Sequence, residues 1–151
     1  MGVGKTRVAL AIAQELGCRK ILVVAPLSAS GVWSTEVEKL GLPVRVMTLR
    51  SGSIPERARR VAGMGEGLIV VNYEAFWREP FRSAVVRWAP DMVIWDESHR
   101  LRHRSARQSK FAHALVLRAK HALALTGTPM GNGPEDLFSI FKAVRPEVFG
   151  S

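Results

Sequence analysis

Met92-Val93-Ile94-Trp95-Asp96-Glu97-Ser98-His99 sets four apolar residues in succession, then two carboxylates, a hydroxyl and an imidazole. A run that is apolar throughout, without alternation, marks a strand buried on both faces. The abrupt change at Asp96-Glu97 puts the charged pair at the carboxyl end of that strand, where parallel α/β sheets bind their ligands. A bare Asp-Glu is usually a solvated acidic turn, so the pair gains meaning only from its surroundings.

On either side, short β-branched runs alternate with longer helix-forming stretches. Lys20 to Ala25, Val44 to Leu49, Leu68 to Asn72, Asp91 to Trp95 and Ala122 to Leu125 read as strands, the first halted by Pro26. Helices are expected from Lys5 to Leu16, with Val8, Ile12 and Leu16 on one stripe and Gly17 as the stop, and from Gly31 to Leu40. Further helices are expected over Pro55 to Ala62, Tyr73 to Trp88 with a break near Pro80, Ser105 to Arg118, and Glu135 to Ala143. Strand-helix alternation of this kind implies an α/β fold: one parallel sheet flanked by helices, with right-handed crossovers.

The 151 residues suffice for one domain with a substantial core. Cys18 is the only cysteine, so no internal disulfide forms, which fits a reducing cytoplasm. No apolar run approaches the length of a membrane span, and no membrane association is expected. Met1-Gly2 with Thr6 fits a loose myristoylation pattern, but the same residues have a better use below. The net charge of +9 favours a polyanionic partner. Arg57, Arg59 and Arg60 form one basic cluster. Arg100, Arg102, Arg104 and Arg107 form another, just after the acidic pair. Trp33, Trp77, Trp88 and Phe149 read as core residues.

Gly2-Val3-Gly4-Lys5-Thr6 opens the first helix and carries the G-K-[ST] core of a phosphate loop. Glycines there let the N–H groups of Gly2, Val3 and Gly4 close around phosphate oxygens at a helix N-terminus. Lys5 would reach the β- and γ-phosphates of ATP, and the Thr6 hydroxyl would ligate Mg²⁺. The strand ending in Asp96-Glu97, roughly ninety residues later, is the matching Walker B pattern. Asp96 would hold Mg²⁺ through its water shell and Glu97 would polarise the attacking water. His99 and His103 are spaced as metal ligands on one helix face, but no third ligand accompanies them.

Asp96-Glu97-Ser98-His99-Arg100-Leu101 resembles the D-E-[AS]-H-R-L segment of Swi/Snf-type ATPases, in helicase superfamily 2 with its DEAD/DEAH-like members. Leu125-Thr126-Gly127-Thr128-Pro129 with Asn132 is similar to that family's L-T-G-T-P-x-x-N motif III. Pro26-Leu27-Ser28 with Trp33 and Glu36 is similar to its motif Ia, and Val70-Val71-Asn72-Tyr73-Glu74 to its V-x-T-Y-E strand end. Asp136-Leu137-Phe138, Arg145-Pro146 and Phe149-Gly150 resemble its tail. The resemblance spans nearly the whole chain in order and spacing. Arg102 and His103 depart from it, standing where lysine and asparagine are frequent.

The resemblance implies the N-terminal RecA-like lobe of a DNA-dependent ATPase and translocase, a motor tracking double-stranded DNA with a second RecA-like lobe. It implies that His99, Thr126 and Thr128 couple nucleotide state to the track, with both threonine hydroxyls positioned to bond Asp96, His99 or backbone. It also implies that Pro26, Ser28 and Asn72 face nucleic acid. Met1 coincides with the family's internal methionine just before the phosphate loop. The expectation is therefore a lobe cut at both ends. The strand that feeds the loop, expected beside the strand ending at Asp96, would be missing, as would the second lobe with its arginine finger. Such a motor would be cytoplasmic, nucleoid-associated in a bacterium or phage. Rival readings are the helicase subunit of a restriction-type superfamily 2 enzyme and a catalytically silent nucleic-acid-binding fragment.

Overall fold

The computed structural model describes residues 4–102, 106–129, 133 and 135–149. Each of the five apolar runs is a strand: β1 (Lys20–Ala25), β2 (Val46–Leu49), β3 (Gly67–Asn72), β4 (Met92–Asp96) and β5 (His121–Leu125). They pair in parallel in the order β2-β3-β1-β4-β5. Ala25 lies level with Asn72, Val24 with Trp95, and Asp96 with Leu125. Asn72, Pro26, Asp96 and Thr126 therefore line one edge of the sheet, at the carboxyl ends of four neighbouring strands.

Successive strand residues point to opposite faces, and both faces are covered. Helices α1 (Lys5–Glu15) and α2 (Ser30–Lys39) close one face, packing Leu10, Ala13, Trp33 and Val37 on Ile21, Val23, Val70 and Ile94. The other face carries α3 (Ile54–Ala62), α4 (Tyr73–Phe76), α5 (Phe81–Trp88) and α6 (Arg107–Val116). Val61, Phe76, Phe81 and Leu115 lie in its core with Leu22, Val24, Ile69 and Trp95. Helices α7 (Glu135–Lys142) and α8 (Pro146–Phe149) finish the described chain, and Trp95 Nε1 donates to Ala143 O at 2.8 Å. No helix among the described residues is long and apolar enough to cross a membrane.

Several expectations change. The Val8-Ile12-Leu16 stripe of α1 faces outward, 57%, 36% and 47% exposed, while Ala9, Leu10 and Ala13 are buried. The two stripes are one residue apart, so periodicity fits both; the small alanines let the helix backbone sit close to the sheet. Strand β4 is paired on both sides, by β1 and β5. A strand preceding α1 would thus meet an outer strand, β2 or β5, and not the one ending at Asp96. Strand β2 starts at Val46 because Val44 N–H is turned onto Leu42 O at 2.8 Å. The expected break near Pro80 separates α4 from α5. The helix start at Ser105 lies outside the described residues, and α6 begins at Arg107.

Two short elements carried no periodic signal, a 3-10 turn over Ser98–Leu101 and α8. Trp88 is core, its N–H on Gly65 O at 2.8 Å. Trp77 and Phe149 are only half-buried, and Phe149 stacks on Phe141. Gly67 is required by close approach: a Cβ there would stand 2.5 Å from Arg45 O.

Candidate functional site

Gly4 precedes α1 in a left-handed conformation, φ 77°, which glycine adopts without a steric cost. It turns the chain so that Lys5 and Thr6 open the helix at the carboxyl edge of the sheet. Lys5 Nζ lies 3.9 Å from Glu97 Oε1 and 3.7 Å from where a Cβ on Gly127 would sit. Three segments distant in sequence thus meet at one ammonium group: the loop before α1, the end of β4 and the turn after β5. Gly2 and Val3, expected to join this cradle, lie outside the described residues.

Asp96 ends β4 and is 8% exposed. Trp33 Nε1 donates to its Oδ2 at 3.1 Å, and Tyr73 OH donates to its main-chain oxygen at 2.9 Å. Burial raises the Asp96 pKa; the Trp33 N–H pulls it back, and neighbouring Glu97 pushes it up. A crowded pair of carboxylates of this kind is suited to a cation. Among the described residues no three His, Cys, Asp or Glu form a metal cage. Mg²⁺ characteristically takes one or two carboxylates and completes its shell with phosphates and water, so the donor set of Asp96 and Thr6 fits it.

Glu97 sits at φ 51°, ψ 53°, a left-handed conformation that costs a non-glycine residue about 1–3 kcal/mol and concentrates at functional sites. The twist turns its carboxylate toward Lys5 and His99. His99 Nδ1 is 3.3 Å from both Thr126 Oγ1 and Glu97 Oε2. Thr126 Oγ1 also accepts the Thr128 N–H at 3.1 Å. The threonine contacts expected from sequence are therefore made by Thr126, to His99 and backbone, and Asp96 is not among its partners. The Thr128 side chain is exposed. His103 and Asn132 lie outside the described residues.

Pro26, buried, and Ser28, exposed, leave β1 for the start of α2. Asn72 ends β3 with its amide engaged at both ends: Oδ1 accepts from Arg57 Nη1 at 2.8 Å and Nδ2 donates to Glu74 at 2.6 Å. Glu74 in turn takes Arg100 at 3.2 Å. The sheet order separates the two groups. Asn72, Pro26 and Ser28 follow β3 and β1, whereas Lys5, Glu97, Thr126 and Gly127 cluster at β4 and β5.

Sequence reasoning missed three partners. Arg57, grouped with Arg59 and Arg60 as one basic cluster, is 9% exposed and turned inward. It also donates to Gly52 O at 3.0 Å and Arg50 O at 3.2 Å. The signal was present: Ile54, Arg57, Ala58 and Val61 follow the i, i+3, i+4, i+7 spacing of a buried face. Trp33 was read as packing alone. Arg7 bonds Glu36 at 2.5 Å, tying α1 to α2 and holding the Glu36 pKa down; no pattern in either segment announces that pair.

A parallel sheet in this order, with a glycine-lysine-threonine helix start facing an Asp-Glu strand end, defines a RecA-like α/β lobe of the phosphate-loop class. The chain belongs to the SNF2-related domain family, whose model matches residues 1–151. It is 35% identical over 164 aligned residues to the mouse DNA annealing helicase and endonuclease ZRANB3, covering 100% of this chain and 14% of that protein. It is 31% identical over 161 residues to the transcription regulatory protein SNF2 of Saccharomyces cerevisiae, covering 100% of the chain and 9% of that protein. The chain thus spans a small part of the length of these relatives. The fold matches the Sulfolobus solfataricus SWI2/SNF2 ATPase core in complex with dsDNA, with a TM-score of 0.78 at 24% identity, over 100% of this chain and 31% of the other.

Proposed function

We propose that this chain is the first lobe of a DNA-dependent ATPase and translocase, binding ATP and Mg²⁺ and working with a second RecA-like lobe along double-stranded DNA. The observation that carries the reading is the convergence of Lys5, Glu97 and Gly127 at the carboxyl edge of the sheet. Lys5, which lies 3.9 Å from Glu97, neutralises the β- and γ-phosphates. Thr6 and Asp96 hold the cation, which when bound supplies positive charge to the phosphates. Glu97 orients and polarises the attacking water. His99 and Thr126 lie between Glu97 and the turn carrying Thr128, and pass the state of the nucleotide to that turn.

The division of the sheet edge supports the partner assignment. Ser28 in the turn before α2 and Asn72 at the end of β3 occupy the half of the edge beside the nucleotide cluster, where a hydroxyl, an amide and helix-start N–H groups suit a phosphate backbone. The net charge of +9 agrees with a polyanionic track. The test is equilibrium binding of a fluorescent ATP analogue to the chain, with and without Mg²⁺. Lys5→Ala is expected to weaken binding by about tenfold or more, because a methyl replaces an ammonium in a preorganised cradle. Equal affinity of variant and parent overturns the assignment.

A further inference from the structure

A groove of about 920 Å³ runs over the outer surface of the helices on the α5 side of the sheet, and it shares no residue with the site above. Trp77, Val86, Phe111 and Leu115 form its floor, with Trp77 and Val86 half-buried. Arg78 and Arg82 stand on one rim; Arg107, Lys110 and Arg118 stand on the other. Among the described residues that line the groove the single carboxylate is Glu79, which is committed to Arg82 at 2.8 Å. Arg78, Arg107, Lys110 and Arg118 have no ion pair among the described residues, so four cations face the groove uncompensated.

Charge and shape together choose the occupant. Along α6 the rim reads Arg107, Lys110 and Ala114, a helical spacing over about two turns, and Arg118 continues it in the turn two residues beyond the helix end. Carboxylates on one face of a second helix, spaced to meet Arg107, Lys110 and Arg118, match the three cations of this rim. Duplex DNA would satisfy the rims but offers only phosphates and sugars to an apolar, aromatic floor. An acidic helix with an apolar stripe satisfies both, in the helix-in-groove mode. We propose that this groove docks an acidic amphipathic helix of a partner protein, its apolar stripe on Trp77 and Val86 and its carboxylates on the two basic rims.

The test uses the full chain and three fluorescent probes at physiological salt, where bare long-range attraction is screened beyond about 8 Å. One probe is a peptide of about eighteen residues, five turns, built of Glu, Ala and Leu with leucine at i, i+3, i+4 and i+7. The second is its isomer of equal charge with scrambled spacing, and the third a short DNA duplex. The designed peptide should bind saturably and its isomer at least about tenfold more weakly, a margin that charge alone does not give. The double substitution Arg107→Glu and Lys110→Glu, both residues exposed, should weaken the designed peptide by at least about tenfold and leave duplex affinity within a factor of about three. Arg118→Glu repeats the test at the far end of the rim, and an unchanged melting temperature verifies that the variants fold. Equal binding of peptide and isomer, absence of saturable peptide binding, or a variant that weakens duplex and spares peptide each overturns the proposal. The last of these would make the groove a nucleic-acid surface.

Discussion

The indole N–H of Trp33 donates to Oδ2 of Asp96 at 3.1 Å, across 63 residues of sequence. Trp33 is fully buried on α2, the helix that follows the Pro26-Ser28 loop, and Asp96 ends β4. One carboxylate oxygen is thereby fixed from the half of the sheet edge that carries Pro26 and Ser28. A movement of α2 on contact with a phosphate backbone would be felt at Asp96 through a rigid ring.

Trp33→Phe removes the N–H and keeps most of the ring. A hydrogen bond to a charged group contributes about 1.5–3 kcal/mol, so the freed carboxylate loses its preferred orientation. Mg²⁺-dependent binding of a fluorescent ATP analogue should weaken several-fold, while Mg²⁺-free binding stays the same. If the Mg²⁺ dependence is that of the parent, Trp33 only packs. Trp33→Ala is the poorer test, because the cavity alone costs about 3–5 kcal/mol.

Glu97→Gln keeps the left-handed backbone and nearly the whole side chain, but takes away the negative charge. In a two-lobed protein that turns over ATP, hydrolysis should fall by about 10²-fold or more as the base is lost. Nucleotide affinity should hold or rise, because Lys5 loses a competing carboxylate at 3.9 Å. Single-turnover hydrolysis measured beside equilibrium binding separates the two effects. Loss of both together would make Glu97 a structural residue.

Asp91 gives a pH dependence outside the site. Its Oδ2 accepts the N–H groups of Arg19 at 3.0 Å and Lys20 at 2.9 Å, clamping the start of β1 to that of β4. Burial alone would raise its pKa, but the two amides, aided by Lys120 and Lys20, bring it below the ordinary value. A carboxylate with a lowered folded-state pKa contributes stability that is fully present above its unfolded pKa, about 3.9. That stability is lost as pH falls through the folded value. Asp91→Asn should therefore cost about 1–2 kcal/mol at neutral pH, and the gap in melting temperature between variant and parent should close below about pH 4. A gap that is constant with pH would show that the charge is irrelevant.

Sheet and site were legible to different depths. Strands β1, β3 and β4 could be read because they are buried on both faces, so the apolar run coincides with the strand; β2 and β5, at the outer edges and mostly half-buried, were marked only by short runs rich in apolar residues. That Lys5 and the Asp96-Glu97 pair lie together at one end of the sheet could be expected, because the proposed phosphate chemistry would demand those residue types beside a helix start and a strand end. The outward stripe of α1 could not, since Val8-Ile12-Leu16 and Ala9-Ala13 have the same period and only the close approach to the sheet selects between them. Strand order is also invisible in a list of strands, which is how β5 came to occupy the side of β4 expected for another strand. Trp33 shows the limit for side chains. Its burial was expected, but the partner of its one polar atom depends on where β4 ends beneath α2.

Arg57 supplies a last prediction, because its role is geometric as much as electrostatic. A single guanidinium fork bonds Gly52 O, Arg50 O and Asn72 Oδ1 from inside the protein. Lysine keeps the charge but offers a point donor in place of a planar fork. Arg57→Lys can satisfy one acceptor and leaves the others half-buried without a donor, a loss of about 1–3 kcal/mol. At this chain length that amounts to roughly 2–12 °C in melting temperature. Asn72 would also lose the partner that fixes its amide, so duplex affinity should drop several-fold in Arg57→Lys even after correction for the unfolded fraction. Arg59→Lys, an exposed neighbour on the same helix, should change neither quantity. If the two variants behave alike, the buried fork does not position Asn72, and the basic cluster acts only through its charge.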